Sequence, residues 1–339
     1  MWMIDNQTPF AAERSWVRDK NGAEVWLVAV RATFMINPDG SKTLAEKQDE
    51  VCLVPKYRGE PDKSSLLYDS DLVHIKPTTD IILHGQAYAP PEEWVNQVDV
   101  TLKVAHIQKT LRVFGNRYWE KGLMGLKVSE PEFFKTMPIT YERAFGGIDQ
   151  LADNSKQHDW EPRNPVGTGF AVKAEHLVNQ PVANIEYPKQ RISSWKQRPS
   201  PAGFGPLAGH WSPRVAYAGT YDEKWEKEKQ PLLPADFDER FYLCAPTDQQ
   251  PPHYLQGGEL VELYNLTPSN FLSFKLPQVI LEFNTCFRGE VIPHQAALHS
   301  VILEPDFPRI IMVWHTHLPC HPKVLKLDHT TITLKEWVI

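Results

Sequence analysis

Proline sets the first limit on what this chain can fold into. Within residues 137–256, Pro181, Pro188, Pro199, Pro201, Pro206 and Pro213 interrupt any helix, because each ring removes a backbone donor and clashes with the preceding turn. Pro-Ala-Gly-Phe-Gly-Pro at 201–206 is almost pure turn signal. The one helical candidate in this third is short, Asp222 to Lys229, with Asp222 placed to cap it. Tyr141–Phe170 contains Tyr-Glu-Arg-Ala-Phe-Gly-Gly and, after a polar insert, Asn-Pro-Val-Gly-Thr-Gly-Phe. It has too many Gly and Pro residues for a helix and no alternation long enough for a strand, so it reads as a shaped loop. Long irregular chain needs packing of its own to hold a shape. Phe145, Phe170, Phe204, Trp211, Tyr217, Tyr221 and Trp225 are the candidate pins.

On either side the pattern changes to period two. Trp26, Val28, Val30, Ala32, Phe34 and Ile36 alternate along one long strand with a buried side. Asn37-Pro38-Asp39-Gly40 then supplies turn chemistry for a hairpin return through Thr43 and Leu44. A second hairpin runs through Val98, Val100, Leu102 and Val104 and back through Leu111 and Val113, with its turn expected at Gln108 and Lys109. A short strand is expected at Ile81 to Leu83. After Gly257, strands are expected at Glu259–Leu266, Phe271–Leu276, Val279–Phe283 and Thr331–Val338. Val301–Glu304 should pair with Ile310–Trp314 across Pro305-Asp306-Phe307-Pro308. No fixed-period repeat links these strands, which argues against a propeller or solenoid. The expected fold is mainly β, a single compact unit over 1–339. Antiparallel β layers, sandwich or barrel-like, form its N-terminal part (1–136) and C-terminal part (257–339), and a long loop-rich Pro/Gly/aromatic centre occupies 137–256.

The charge pattern narrows the choice of partners. The formal net charge of -6 falls entirely in residues 1–100, where 16 acidic side chains face 10 basic ones, and the remainder balances at 26 against 26. No basic face of the kind that neutralises a phosphate backbone is present, so nucleic acid is not the expected partner. No cationic segment followed by an apolar run opens the chain, and no stretch approaches the roughly 20 apolar residues of a membrane span. Cys52, Cys244, Cys286 and Cys320 are widely spaced and form no C-x-x-C pair, which favours reduced thiols in a cytoplasm. The expectation is a cytoplasmic protein with neither membrane nor nucleic acid as partner.

Several groupings of reactive residues have plainer readings. Asp69, Asp71 and Asp80 lack EF-hand spacing, and turn-making aspartates explain them better. His315, His317, Cys320 and His321 are ligand types that zinc prefers, and His315 and His317 would share one side of a strand. No second ligand pair lies at zinc-finger spacing, however, and Pro319 breaks the local geometry. The expectation is no metal and no other cofactor, with these four as the candidate ligands if one binds. No Gly-x-Ser-x-Gly elbow or phosphate-cradling glycine pattern is present, and no catalytic residue is assigned. The glycines of 145–147 and 167–169 read instead as positions of positive φ. Glu142, Glu161, Asp222 and Glu259 could supply the carboxylates of a carbohydrate-acting or carbohydrate-binding β protein, the alternative function. Recognition of a protein needs fewer coincidences, since Tyr, Trp and Arg are the usual anchors of an interface. The candidate partner-binding residues are Arg143, Phe145, Phe170, Tyr217 and Trp225.

A resemblance sharpens this reading. It rests on Trp26–Phe34, on Tyr68-Asp69-Ser70-Asp71-Leu72 with Lys76-Pro77 and Thr79-Asp80, on Tyr141–Gly147, Asn164–Phe170 and Pro201–Pro206, on Ala218-Gly219-Thr220-Tyr221-Asp222 with Trp225, and on Leu233-Pro234-Ala235-Asp236-Phe237. In that order, across residues 26–237, the chain resembles the effector adaptor (chaperone) family of bacterial type VI secretion, long catalogued as a domain of unknown function. The resemblance implies a cytoplasmic protein that binds a toxic effector and helps load it onto the spike, either the valine-glycine repeat protein or its tip protein. It implies no enzyme activity and no cofactor, and it transfers no set of contact residues.

Overall fold

The computed structural model describes residues 2–123, 125–152, 159–320 and 322–339. The chain is mainly β, built from several largely antiparallel sheets in layers, with no closed barrel. At its centre runs the strand Glu24–Ile36, joined by Ala11–Arg18 on one side and Arg309–Pro319 on the other. Ala296–Glu304 follows, then Asp80–Leu83 in parallel, and Lys42–Leu44 folds back on the end of the central strand. A five-stranded sheet is ordered Ile185–Glu186, Ile107–Phe114, Gln97–Val104, Leu260–Tyr264, Phe271–Lys275. A four-stranded sheet runs Met3–Asn6, Leu327–Val338, Gln278–Phe287, Glu290–His294.

All three sheets feed one core. Trp26, Val28, Val30 and Phe34 of the first meet Val100, Leu102, Val113 and Leu263 of the second and Phe283, Phe287 and Ile332 of the third. The expected division into an N-terminal and a C-terminal β part is therefore not how the sheets are assembled. All three sheets take strands from both parts.

The central strand also differs from the expectation of one buried side. Leu27, Ala29, Arg31 and Thr33 on its other face are buried as well. Irregular chain covers them, with Cys244 and Ala245 packing on Ile82, Ile302, Ile311 and Val313. Under this cover the three aspartates form ion pairs: Asp71 with Arg31 at 2.8 Å, Asp80 with Lys76 at 2.7 Å and Asp69 with Arg214 at 2.9 Å. Asp71 also accepts from the Cys52 amide, and Asp80 from the amides of Cys244 and Ala245. A carboxylate that already balances a buried cation and caps backbone amides is a structural anion, and losing one partner of such a pair costs about 3–5 kcal/mol. The turn reading is thus corrected to buried ion pairing for Asp71 and Asp80, while Asp69 both pairs with Arg214 and accepts from the next amide, that of Ser70, at 2.9 Å.

The second hairpin closes three residues earlier than expected. Val104 pairs with Ile107, so the turn is Ala105-His106, with Ala105 at φ 52°. Lys109 lies inside the strand, 3 % exposed, and its ammonium donates to Asp248 and to Gln249, each at 2.8 Å. An acceptor pair, one member exposed and the other buried, makes a polar residue fit where hydropathy alone places a turn. The short helix forms at Glu223–Glu228, and the Asp222 carboxylate accepts from the Trp225 amide as its cap. Among the described residues no helix is long and apolar enough to cross a membrane.

Candidate functional site

The shaped loop at 141–170 closes into a cradle whose walls are backbone. Phe145-Gly146 pairs in parallel with Thr168-Gly169. Asn164, fully buried, donates from Nδ2 to the carbonyls of Tyr141 at 2.8 Å and Phe145 at 3.0 Å. The Thr168 hydroxyl donates to the Glu142 carbonyl at 2.7 Å. Gly146, at φ 154°, lies against this asparagine: a Cβ there would stand 2.1 Å from the Asn164 carbonyl oxygen. Gly146, Gly147 and Gly169 take the positive φ expected of them, while Gly167 does not and is kept small by Asn164 Nδ2, 2.3 Å from where its Cβ would stand.

Asp149 ties the outer end of the cradle. Its buried carboxylate accepts from the amides of Leu151 at 3.1 Å and Val172 at 2.9 Å and pairs with His176 Nδ1 at 2.8 Å. These hydrogen bonds hold the Asp149 carboxyl below the usual carboxylate range against the opposing effect of burial. Around this knot stand Ile148, Leu151, Trp160 and Val172, 55 %, 67 %, 44 % and 38 % exposed, with Ile148 bridged to Trp160 across the loop. Between Ile148, Leu151 and the glycines opens a cavity of about 360 Å³, with His176 on its wall. A tied backbone that displays apolar side chains gives a partner contact area with little ordering cost.

The residues singled out from sequence are distributed differently. Phe145 is 3 % exposed, a pin in a cluster with Trp119, Leu177 and Ile192, and offers no surface to a partner. Phe170 packs half-buried on the same cluster beneath the Arg198 guanidinium, 4.8 Å from the ring centre. Arg143 bonds Asn184, which fixes the cradle to the neighbouring strand. Tyr217 and Trp225 lie elsewhere in the central third. Arg240 covers Tyr217 at 4.4 Å, while Trp225 donates to the Leu232 carbonyl at 2.8 Å and packs edge-on against Tyr221. Phe204 and Trp211 are buried pins, but Tyr221 is 54 % exposed and packs only at the surface, against Trp225. The rim Ile148, Leu151, Trp160 and Val172 escaped sequence reasoning, because single apolar residues in a loop carry no period. Asp149 paired with His176 escaped because the two are 27 residues apart.

The carboxylates of the carbohydrate reading are each engaged locally. Glu142 accepts from the Ser65 amide and hydroxyl, Glu161 pairs with Arg163 at 2.6 Å, Asp222 caps its helix and Glu259 accepts from the Gln256 amide.

The C-terminal histidines and cysteine diverge too. His315 is buried flat against His299, ring centres 4.6 Å apart, and burial pushes its pKa down to about 3. His317 turns toward His74, while Cys320 Sγ approaches the Glu24 carbonyl. His321 lies outside the described residues. Among those described, no three His, Cys, Asp or Glu side chains converge as a metal-holding group.

Residues 21–315 match the model of a family described as "Uncharacterized protein conserved in bacteria (DUF2169)". The chain belongs to this family. Its match takes in the central strand and the cradle and stops short of His317 and of the Leu327–Val338 strand. Neither a curated protein nor a solved structure matches the chain.

Proposed function

We propose that this family member is a cytoplasmic adaptor, or chaperone, that binds an effector of type VI secretion and helps load it onto the spike or its tip protein. The observation that carries this reading is the apolar rim of Ile148, Leu151, Trp160 and Val172, held around the buried Asp149 knot. Aromatic and aliphatic side chains on a pre-organised loop are what a protein partner uses as anchors. The resemblance over residues 26–237 supplies the identity of that partner, and several of its stretches do structural work in the fold. Asp71, Lys76 and Asp80 make buried ion pairs, and Asn164 with Gly146 shapes the cradle. The rim lies outside those stretches, on the surface that such a scaffold would present.

Co-expression with the effector encoded nearest the gene tests this reading. The wild-type chain should retain that effector through purification and raise its soluble yield. The double variant Leu151→Asp, Trp160→Asp should weaken capture by about 100-fold, two anchors of roughly 1–2 kcal/mol each, with an unchanged thermal melt. An effector that is neither retained nor solubilised by the wild-type chain removes the adaptor reading.

A further inference from the structure

Two histidines far apart in the chain meet in a second pocket. His317 projects from the Arg309–Pro319 strand and His74 from the segment ahead of Lys76, and their Nε2 atoms stand 3.3 Å apart with ring planes at 81°. The spacing is that of a weak N–H···N hydrogen bond between one protonated and one bare ring nitrogen. It matches the edge of a tetrahedron: two nitrogens each about 2.0–2.1 Å from a zinc ion lie about 3.3–3.4 Å from one another. The pocket, about 300 Å³, has Glu239 on its wall beside Phe237 and Tyr242. Asp19, also on the wall, already accepts from the amides of Asn21 and Ala23 through Oδ1. The Glu239 carboxylate, among the described residues, makes no hydrogen bond or ion pair, and Glu239 sits at the start of a turn of 3-10 helix over Glu239–Tyr242.

We propose that His74 and His317 form a binding site for a divalent transition ion of the zinc type. The two imidazoles already stand at ligand spacing; no third His, Cys, Asp or Glu among the described residues converges on them in the present rotamers, so Glu239 supplies its oxygen by a change of rotamer, and water completes the shell. These ligands come from the first third of the chain, its centre and its last strand-rich part. An ion bound there would staple the 239–242 turn over the outer face of the central sheet. His315 takes no part, because its ring is buried and stacked on His299.

The experiment uses the full-length chain without a histidine tag, stripped with a chelator and titrated with Co²⁺ as a visible probe and then with competing Zn²⁺. One ion per chain should bind with a micromolar or tighter dissociation constant and give the intense visible bands of a low-coordinate Co²⁺ site. His74→Gln and His317→Gln should each weaken binding by at least about 100-fold, and Glu239→Gln by about 10-fold. The exposed His210, away from this pocket, serves as the control: His210→Gln should change nothing. Binding no tighter than millimolar to the folded wild type overturns the proposal. So does tight binding that survives both histidine variants, which would place the ion elsewhere. Should either variant fail to fold, the wild type still decides. Zn²⁺ must protect His74 and His317 from diethylpyrocarbonate, read by peptide mass spectrometry, and a lack of protection overturns the site equally.

Discussion

His84 is closed in by the fold on both ring nitrogens, with the Arg58 guanidinium 2.9 Å from Nδ1 and the Leu67 carbonyl 2.8 Å from Nε2. Burial first, and the Arg58 charge second, push its pKa from 6.5 down to about 3. His294 is shifted the same way by burial alone, to about 4. The sign of the linkage follows. Between these values and 6.5 the unfolded chain binds protons that the folded chain refuses, so the contribution to stability is complete above about pH 6.5 and is lost as pH falls through the window. For His84 alone the loss from pH 7 to pH 5 is on the order of 2 kcal/mol. Urea unfolding midpoints should therefore fall steadily over that range. His84→Gln, which keeps a side chain able to hydrogen-bond, should flatten the dependence, and an unchanged slope in that variant would show the proton goes elsewhere.

Among the elements, the cradle joins the loop reading to a mechanical consequence. Phe145-Gly146 and Thr168-Gly169 are too short to stand as a sheet without the Asn164 side chain between them. Gly146→Ala would drive a methyl group to 2.1 Å from the Asn164 carbonyl oxygen at a φ of 154°, so the two strands must part. The expected cost is about 3 kcal/mol or more, seen as a lower unfolding midpoint together with loss of effector capture. A variant that melts and binds like the wild type would mean that the cradle tolerates opening. Elements with a local cause were legible from sequence: the long alternating strand, the hairpin at Asn37–Gly40, the capped helix at Asp222 and the glycines of positive φ. What depends on chain brought from elsewhere was not. The second buried face of the central sheet needs Cys244 and Ala245 laid over Ile82, Ile302, Ile311 and Val313. Lys109 is a strand residue only because Asp248 and Gln249 come to meet it. The exposed rim around Asp149 is set by a carboxylate whose partners are known only after folding.

At the scale of the whole molecule, the order of strands rather than their number decides how the chain holds together. The central strand has an N-terminal neighbour on one side, Ala11–Arg18, and a C-terminal neighbour on the other, Arg309–Pro319. Gln97–Val104 likewise lies between Ile107–Phe114 and Leu260–Tyr264. Met3–Asn6, almost at the start of the chain, pairs in parallel with Leu327–Val338 near its end. A fragment 1–256 would retain the predicted N-terminal β part and all of the loop-rich centre, yet it would leave one edge of the central strand bare. It would also lose Ile310, Met312, Trp314 and Phe283 from the shared core. Uncovered strand edges and missing apolar burial leave nothing to offset the entropy of ordering the rest. The full chain should therefore melt in one cooperative transition by both near- and far-ultraviolet circular dichroism. The fragment 1–256 should show no cooperative transition and should aggregate, and co-expressed 257–339 should restore the transition by supplying the missing strands in trans. A cooperative melt from the fragment alone would mean that the N-terminal part folds independently, with the C-terminal strands added to a core already formed.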